Sequence, residues 1–147
     1  MATQEIINFA FEFESVYTKD APTIEIFFDS IKIFPLTTVS QAITINVPME
    51  INSNFTLHHL EVRRGNHNEI DSQSLCLKSV RADDIDLKKI LPHTKFYPKY
   101  PLQWHAEQLV QGTVWPEFHS GWLEWGWNGT WKMEFTSPFY TWLLHEL

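Results

Sequence analysis

The chain predicts an all-β fold: an antiparallel β-sandwich of jelly-roll type with a short C-terminal helix, in a single domain over residues 1–147. Three observations predict it. Phe9, Phe11 and Phe13 alternate with Ala10, Glu12 and Glu14, the period of two that a half-buried strand requires. Comparable alternating runs recur along the chain, separated by turn signals every eight to twelve residues or so. Between them lie no long amphipathic helical stretches of the kind that alternate with strands in α/β proteins.

The elements follow in order. Thr23 to Phe28 is rich in β-branched and aromatic residues and reads as a second strand, turned at Asp29-Ser30 and continued by Ile31, Ile33 and Leu36. Ile43, Ile45 and Val47 alternate with Thr44 and Asn46 and end at Pro48. Phe55, Leu57 and His59 alternate with Thr56 and His58 and lead to a turn at Gly65-Asn66. Leu75, Leu77 and Ser79 alternate with Cys76 and Lys78. Asp83 to Leu91 fits neither period cleanly, and a strand followed by a turn is preferred over a short helix. From His93 to Trp115 a loop-rich stretch is expected, because Pro98 and Pro101 disfavour a central strand; Gln103 to Val110 has room for one or two helical turns. Asn128-Gly129 reads as a type I′ hairpin turn joining Trp122–Trp127 to Thr130–Phe135. Ser137-Pro138 reads as the N-cap and first residue of the terminal helix, with Phe139, Trp142, Leu143 and Leu147 on its apolar side.

Composition narrows the function. A hydrophobic fraction of 44% with 15% aromatics is that of a chain with a sizeable core. A formal net charge of −7 argues against nucleic acid and against an anionic membrane surface as partners. The single cysteine, Cys76, allows no intrachain disulfide, and the first residues do not read as a signal peptide. No nucleotide-binding or nucleophile motif occurs, and Glu107, Glu117, Glu124 and Glu134 offer no spacing that singles out an acid pair. A non-catalytic protein is therefore expected.

Gly126-Trp127-Asn128-Gly129-Thr130-Trp131, followed by Phe135-Thr136-Ser137-Pro138-Phe139-Tyr140-Thr141-Trp142-Leu143-Leu144, resembles the C-terminus of small β-sandwich proteins of tailed bacteriophages, marine ones in particular. Leu60-Glu61-Val62-Arg63-Arg64-Gly65-Asn66-His67 and the strand after it are similar in order to the same proteins. These in turn look like calcium-dependent carbohydrate-binding modules of the xylan-binding kind. The resemblance covers roughly residues 55 to 147 and carries no catalytic residue. It implies a virion-associated protein, assembled in the host cytoplasm, that decorates a capsid or tail through contacts with other virion proteins or with itself. The alternative is a module that binds a host-surface glycan, with Ca²⁺ as a cofactor.

Candidate residues follow from chemistry. Asp83, Asp84 and Asp86 form the densest acidic cluster, and hard cations such as Ca²⁺ take closely spaced carboxylates; Glu69 and Asp71 are possible additions, and a solvated turn is the plainer reading. His105 and His119 are the least implausible zinc pair among the seven histidines. All seven tryptophans lie in the C-terminal third, where they form either core or contact face. Trp125, Trp127, Trp131 and Trp142 are expected mostly inside. Tyr97, Tyr100, Trp104 and Trp115, in or beside the long loop, are expected to contact a glycan or partner. The Phe-rich N-terminal strand is a candidate for pairing with a neighbour's sheet edge.

Overall fold

The fold was analysed in a computed structural model that describes residues 4–52, 56–68 and 71–147; Phe55 and Glu69 lie outside these segments. Eleven strands and two helices make up the described chain. In order they are β1 (Gln4–Tyr17), β2 (Thr23–Phe28), β3 (Ile31–Thr38), β4 (Ile43–Asn52), β5 (Leu57–Gly65), β6 (Gln73–Ala82), β7 (Ile85–Asp86), β8 (Lys95–Pro98), α1 (Leu102–Val110), β9 (His119–Ser120), β10 (Glu124–Trp125), β11 (Gly129–Thr136) and α2 (Phe139–Glu146). One sheet runs β4-β1-β6, with β7 and β10 both on the far side of β6; the other runs β3-β2-β5-β11-β8-β9. Every pairing is antiparallel. The two sheets face each other as an all-β sandwich, and α2 closes one end.

The inner faces show why the alternation predicts the strands. Phe9, Phe11 and Phe13 are fully buried on β1, while Glu12 and Glu14 point to solvent. Phe11 meets Trp131 of the opposite sheet edge-on at 6.4 Å, and Phe9 stacks on Phe135 at 6.5 Å. Such offset and edge-to-face contacts suit the ring quadrupoles, and each buried phenylalanine contributes roughly 1.5–3 kcal/mol. Ile24, Ile26, Ile45, Val47, Leu60, Val62, Leu75 and Leu77 fill the same layer.

Several expectations give way to tertiary structure. β1 is not an edge strand: it pairs with β4 over Gln4–Phe13 and with β6 over Phe9–Tyr17, so its Phe-rich stretch is paired on both sides, and its phenylalanines are buried and not contacts. Asn128-Gly129 does not make a hairpin, since β10 belongs to the first sheet and β11 to the second, and residues 126–128 cross between them. Neither Asn128 nor Gly129 has a positive φ. The Asn128 amide is consumed elsewhere: it accepts from Arg64 Nη1 at 3.0 Å and from the His67 N–H at 2.8 Å, and donates to the His67 carbonyl at 3.2 Å. Gly129 is required for space, because a Cβ there would lie 2.5 Å from the Tyr97 carbonyl oxygen and 2.7 Å from Phe96 Cζ.

Lys95–Pro98 is a strand where a loop is expected; Pro98 ends it, beyond the two residues that pair with β9. Ser137 does not cap α2. The Phe139 N–H donates instead to Glu5 Oε1 at 2.7 Å, and Phe139 and Leu143 are the residues that bury, while Leu147 is exposed. The predicted turns at Asp29-Ser30 and Gly65-Asn66 and the helix after Pro101 are present.

Candidate functional site

At the end of the sandwich opposite α2, three chain segments converge: the turn after β5, the stretch from β8 into α1, and the crossing before β11. Asn128, with its three hydrogen bonds to Arg64 and His67, ties the first to the third. The Lys99 N–H donates to the Asn128 carbonyl at 2.6 Å and ties in the second.

On one side of this tie lies an aromatic cluster. Tyr100 stacks on Trp104 at 5.7 Å and meets Trp127 edge-on at 5.4 Å. Trp104 lies 5.3 Å from Trp115 and 5.4 Å from Trp127. All four residues are half-buried. Two hydrogen bonds hold the loop that brings Trp115 back: Tyr100 Oη donates to the Pro116 carbonyl at 2.7 Å, and Trp115 Nε1 donates to Gln108 Oε1 at 3.2 Å. Against the cluster opens a cleft of about 320 Å³ lined by Trp104, Trp127, Pro101, His67, Gln103 and Glu107. Gln103 and Glu107 sit one helical turn apart on α1 and touch at 3.3 Å. The cleft thus presents aromatic faces beside an amide and a carboxylate.

On the other side lies a second open cleft of about 370 Å³, lined by Arg63, Arg64, Lys99, Tyr97, Asn128 and Thr130 together with glycine backbone. Among the described residues its lining has three basic residues and no carboxylate. The Arg63 Cζ lies over Phe27, 3.7 Å from the ring centroid, and the guanidinium reaches Glu61 at 3.6 Å. Lys99 is exposed and has no ion pair among the described residues. Arg64 is only 2% exposed; its guanidinium donates to Asn128 Oδ1, to the Gly65 carbonyl and, at 3.4 Å, to the Gln73 carbonyl. Its Nε has no partner, and no carboxylate pairs with it among the described residues. Burial lowers its pKa to about 10, which leaves it charged at neutral pH.

The sequence-predicted residues divide accordingly. Tyr100, Trp104 and Trp115 come together, joined by Trp127, which is expected inside but turns out of the core. Trp125 and Trp131 are fully buried, as expected. Tyr97 stands apart from the cluster, on the outer face of its sheet, 5.5 Å from Phe118 and beneath Lys132. His119 stacks on Trp122 at 3.6 Å and its Nε2 lies 3.0 Å from Tyr100 Oη, whereas His105 packs on the Tyr100 ring; burial holds His119 below the usual histidine range.

Asp83, Asp84 and Asp86 lie at the far end. Asp83 and Asp84, with φ of 47° and 68°, form the turn between β6 and β7. The Asp83 carboxylate accepts from the Asn8 N–H at 2.9 Å and from Tyr140 Oη, and Asp86 accepts from the Lys88 N–H at 3.0 Å. Among the described residues no three His, Cys, Asp or Glu side chains converge. The plainer reading of the cluster, a turn whose carboxylates satisfy backbone donors, accounts for this geometry. Sequence reasoning missed Trp127, His67, Gln103, Glu107, Arg63 and Lys99, which come together only through the juxtaposition of distant segments.

No protein-family model, curated protein or solved structure matches the chain.

Proposed function

We propose that the protein is a non-catalytic glycan-binding module whose primary contact is the cleft between Trp104 and Trp127. One observation carries this reading: four half-buried aromatic residues are gathered at one end of the sandwich, beside the polar groups of Gln103, Glu107 and His67. Sugar rings have apolar faces that stack on tryptophan and hydroxyls that need fixed donors and acceptors at the edge, and a shallow aromatic cleft supplies both. The three acidic residues Asp83, Asp84 and Asp86 are at the other end and do not line this cleft.

The test is a titration with soluble polysaccharides followed by tryptophan fluorescence. Binding is expected to shift the emission, to survive EDTA, and to be lost in Trp127→Ala; an unchanged spectrum across a broad panel overturns the reading. A second reading has its own support. Leu102, Val110 and Val114 are 89%, 88% and 79% exposed, and α1 buries no residue. That apolar surface suits contact with another protein, as in the virion assembly implied by the phage resemblance. A defined oligomer in light scattering, abolished by Val110→Glu and accompanied by no sugar response, would favour it.

A further inference from the structure

We infer that the ligand is an acidic saccharide, one carrying carboxylate or sulfate groups, with a ring in the aromatic cleft and an anionic substituent in the adjoining cleft of Arg63, Arg64 and Lys99. This rests on the glycan reading above. The two clefts are built from the same three segments, taken one or two residues apart. Arg63 to Gly65 lines the cationic cleft and His67 the aromatic one; Tyr97 and Lys99 line the first and Pro101 the second; Asn128 to Thr130 lines the first and Trp127 the second. Trp127 and Gly129 are two residues apart, so their Cα atoms are separated by at most about 7.6 Å. One oligosaccharide therefore reaches both.

The chain carries a formal net charge of −7, yet among the described residues this cleft is lined by Arg63, which is paired with Glu61, by unpaired Lys99 and by buried Arg64, and by no carboxylate. Among the described residues Lys99 has no counter-charge, and the buried Arg64 guanidinium is held only by neutral oxygens. An uncompensated buried cation is costly, and low-dielectric surroundings extend its field to the adjacent surface. An anion in the cleft offsets that cost without touching the buried Nε. Tyr97 and Thr130 add a ring and a hydroxyl at the rim. Arg63, held against the Phe27 ring and half-exposed, offers further N–H donors to an anion beyond its contact with Glu61. The acidic surface elsewhere repels a polyanion and so directs it to this end.

The experiment compares the intact protein on three polymers, a neutral xylan or glucan, a polyuronate and a sulfated polysaccharide, by calorimetry and by affinity electrophoresis. At least tenfold tighter binding of one acidic polymer than of the neutral one is expected, and the two acidic arms distinguish carboxylate from sulfate. Arg63→Gln with Lys99→Gln should reduce acidic binding at least tenfold and leave residual neutral binding intact, whereas Trp127→Ala should abolish both. The control Lys88→Gln with Lys89→Gln, at the opposite end, should bind like the parent. Equal affinity for neutral and acidic polymers, unchanged in the Arg63–Lys99 variant, overturns the inference and leaves the glycan reading standing. Equal loss in the Lys88–Lys89 control shows general charge attraction and also overturns it. No binding of any polymer by the folded parent overturns both. A circular dichroism melt accompanies each variant, and Lys99→Gln alone, at an exposed position, serves if the double variant fails to fold.

Discussion

Tryptophans a few residues apart in one aromatic block have different physical roles, and substitution should separate them. Trp131 is fully buried between Phe11 and Trp125, and its indole N–H donates to Thr94 Oγ1 at 2.9 Å. Trp131→Ala removes core contacts and the donor to the Thr94 hydroxyl, which keeps its own bond to the Leu91 carbonyl at 2.6 Å, so it should cost about 3–5 kcal/mol in urea unfolding. Trp127→Ala, at the half-exposed cluster, should cost about 1 kcal/mol while removing ligand binding. Glycine gives the matching contrast. Gly129→Ala places a methyl group against the Tyr97 carbonyl and the Phe96 ring and should cost about 1–3 kcal/mol. Gly126→Ala meets nothing within 4 Å and should stay within about 0.5 kcal/mol. An equal loss at both glycines would show that backbone freedom, not space, decides Gly129.

Helix α2 shows how an element too short to stand alone is retained. Eight residues are marginal in water, so docking must hold them. Phe139 and Leu143 supply the apolar contact; Glu5 caps the Phe139 N–H, and the Tyr140 hydroxyl donates to Asp83. The last bond makes docking depend on pH from both sides. The Tyr140 and Asn8 donors hold the Asp83 carboxyl below its ordinary 3.8, so its contribution is present above that value and is lost as the pH falls through the folded value. Burial, then Asp83, raises Tyr140 from 10.0 to about 12, so its contribution is complete below 10 and is lost as the pH rises through 12. Thermal melts of the parent and of Asp83→Asn should therefore differ at neutral pH and converge in acid; Tyr140→Phe should converge with the parent at high pH. A constant difference would remove Asp83 from the acid limb. The strands themselves were legible because period-two alternation reports burial directly, residue by residue. Their partners were not, because pairing is set by which sheet a segment joins. Asn128-Gly129 carries a local hairpin preference, but three tertiary hydrogen bonds to Arg64 and His67 outweigh it. Tyr100, Trp104 and Trp115 could be singled out because nothing in the pattern demanded their burial, whereas Arg63 and Lys99 enter the site only through juxtaposition of distant segments.

Across the whole molecule, apolar burial is divided into two unequal parts. The main core runs between the sheets and includes β1, β4, β6 and β11; the aromatic cluster under α1 is separate from it, and α1 itself buries nothing. Cooperative units defined by contiguous burial open with different free energies, and the unit with fewer buried contacts opens first. Amides of β1, whose strand is paired on both sides, should exchange only by global unfolding. Amides of Leu102–Val110 should exchange at least a hundredfold faster, through an opening that leaves the sandwich intact. The proposed ligand bridges Trp104 on α1 and Trp127 on the crossing before β11, so it links the small unit to the large one. Saturating acidic saccharide should then slow exchange in α1 and at Tyr100, with little change in β1 beyond that set by global stabilisation. Hydrogen–deuterium exchange read by mass spectrometry checks this. Uniform protection in the free protein would show that α1 unfolds with the core, and protection confined to β1 would place the ligand away from the aromatic cleft.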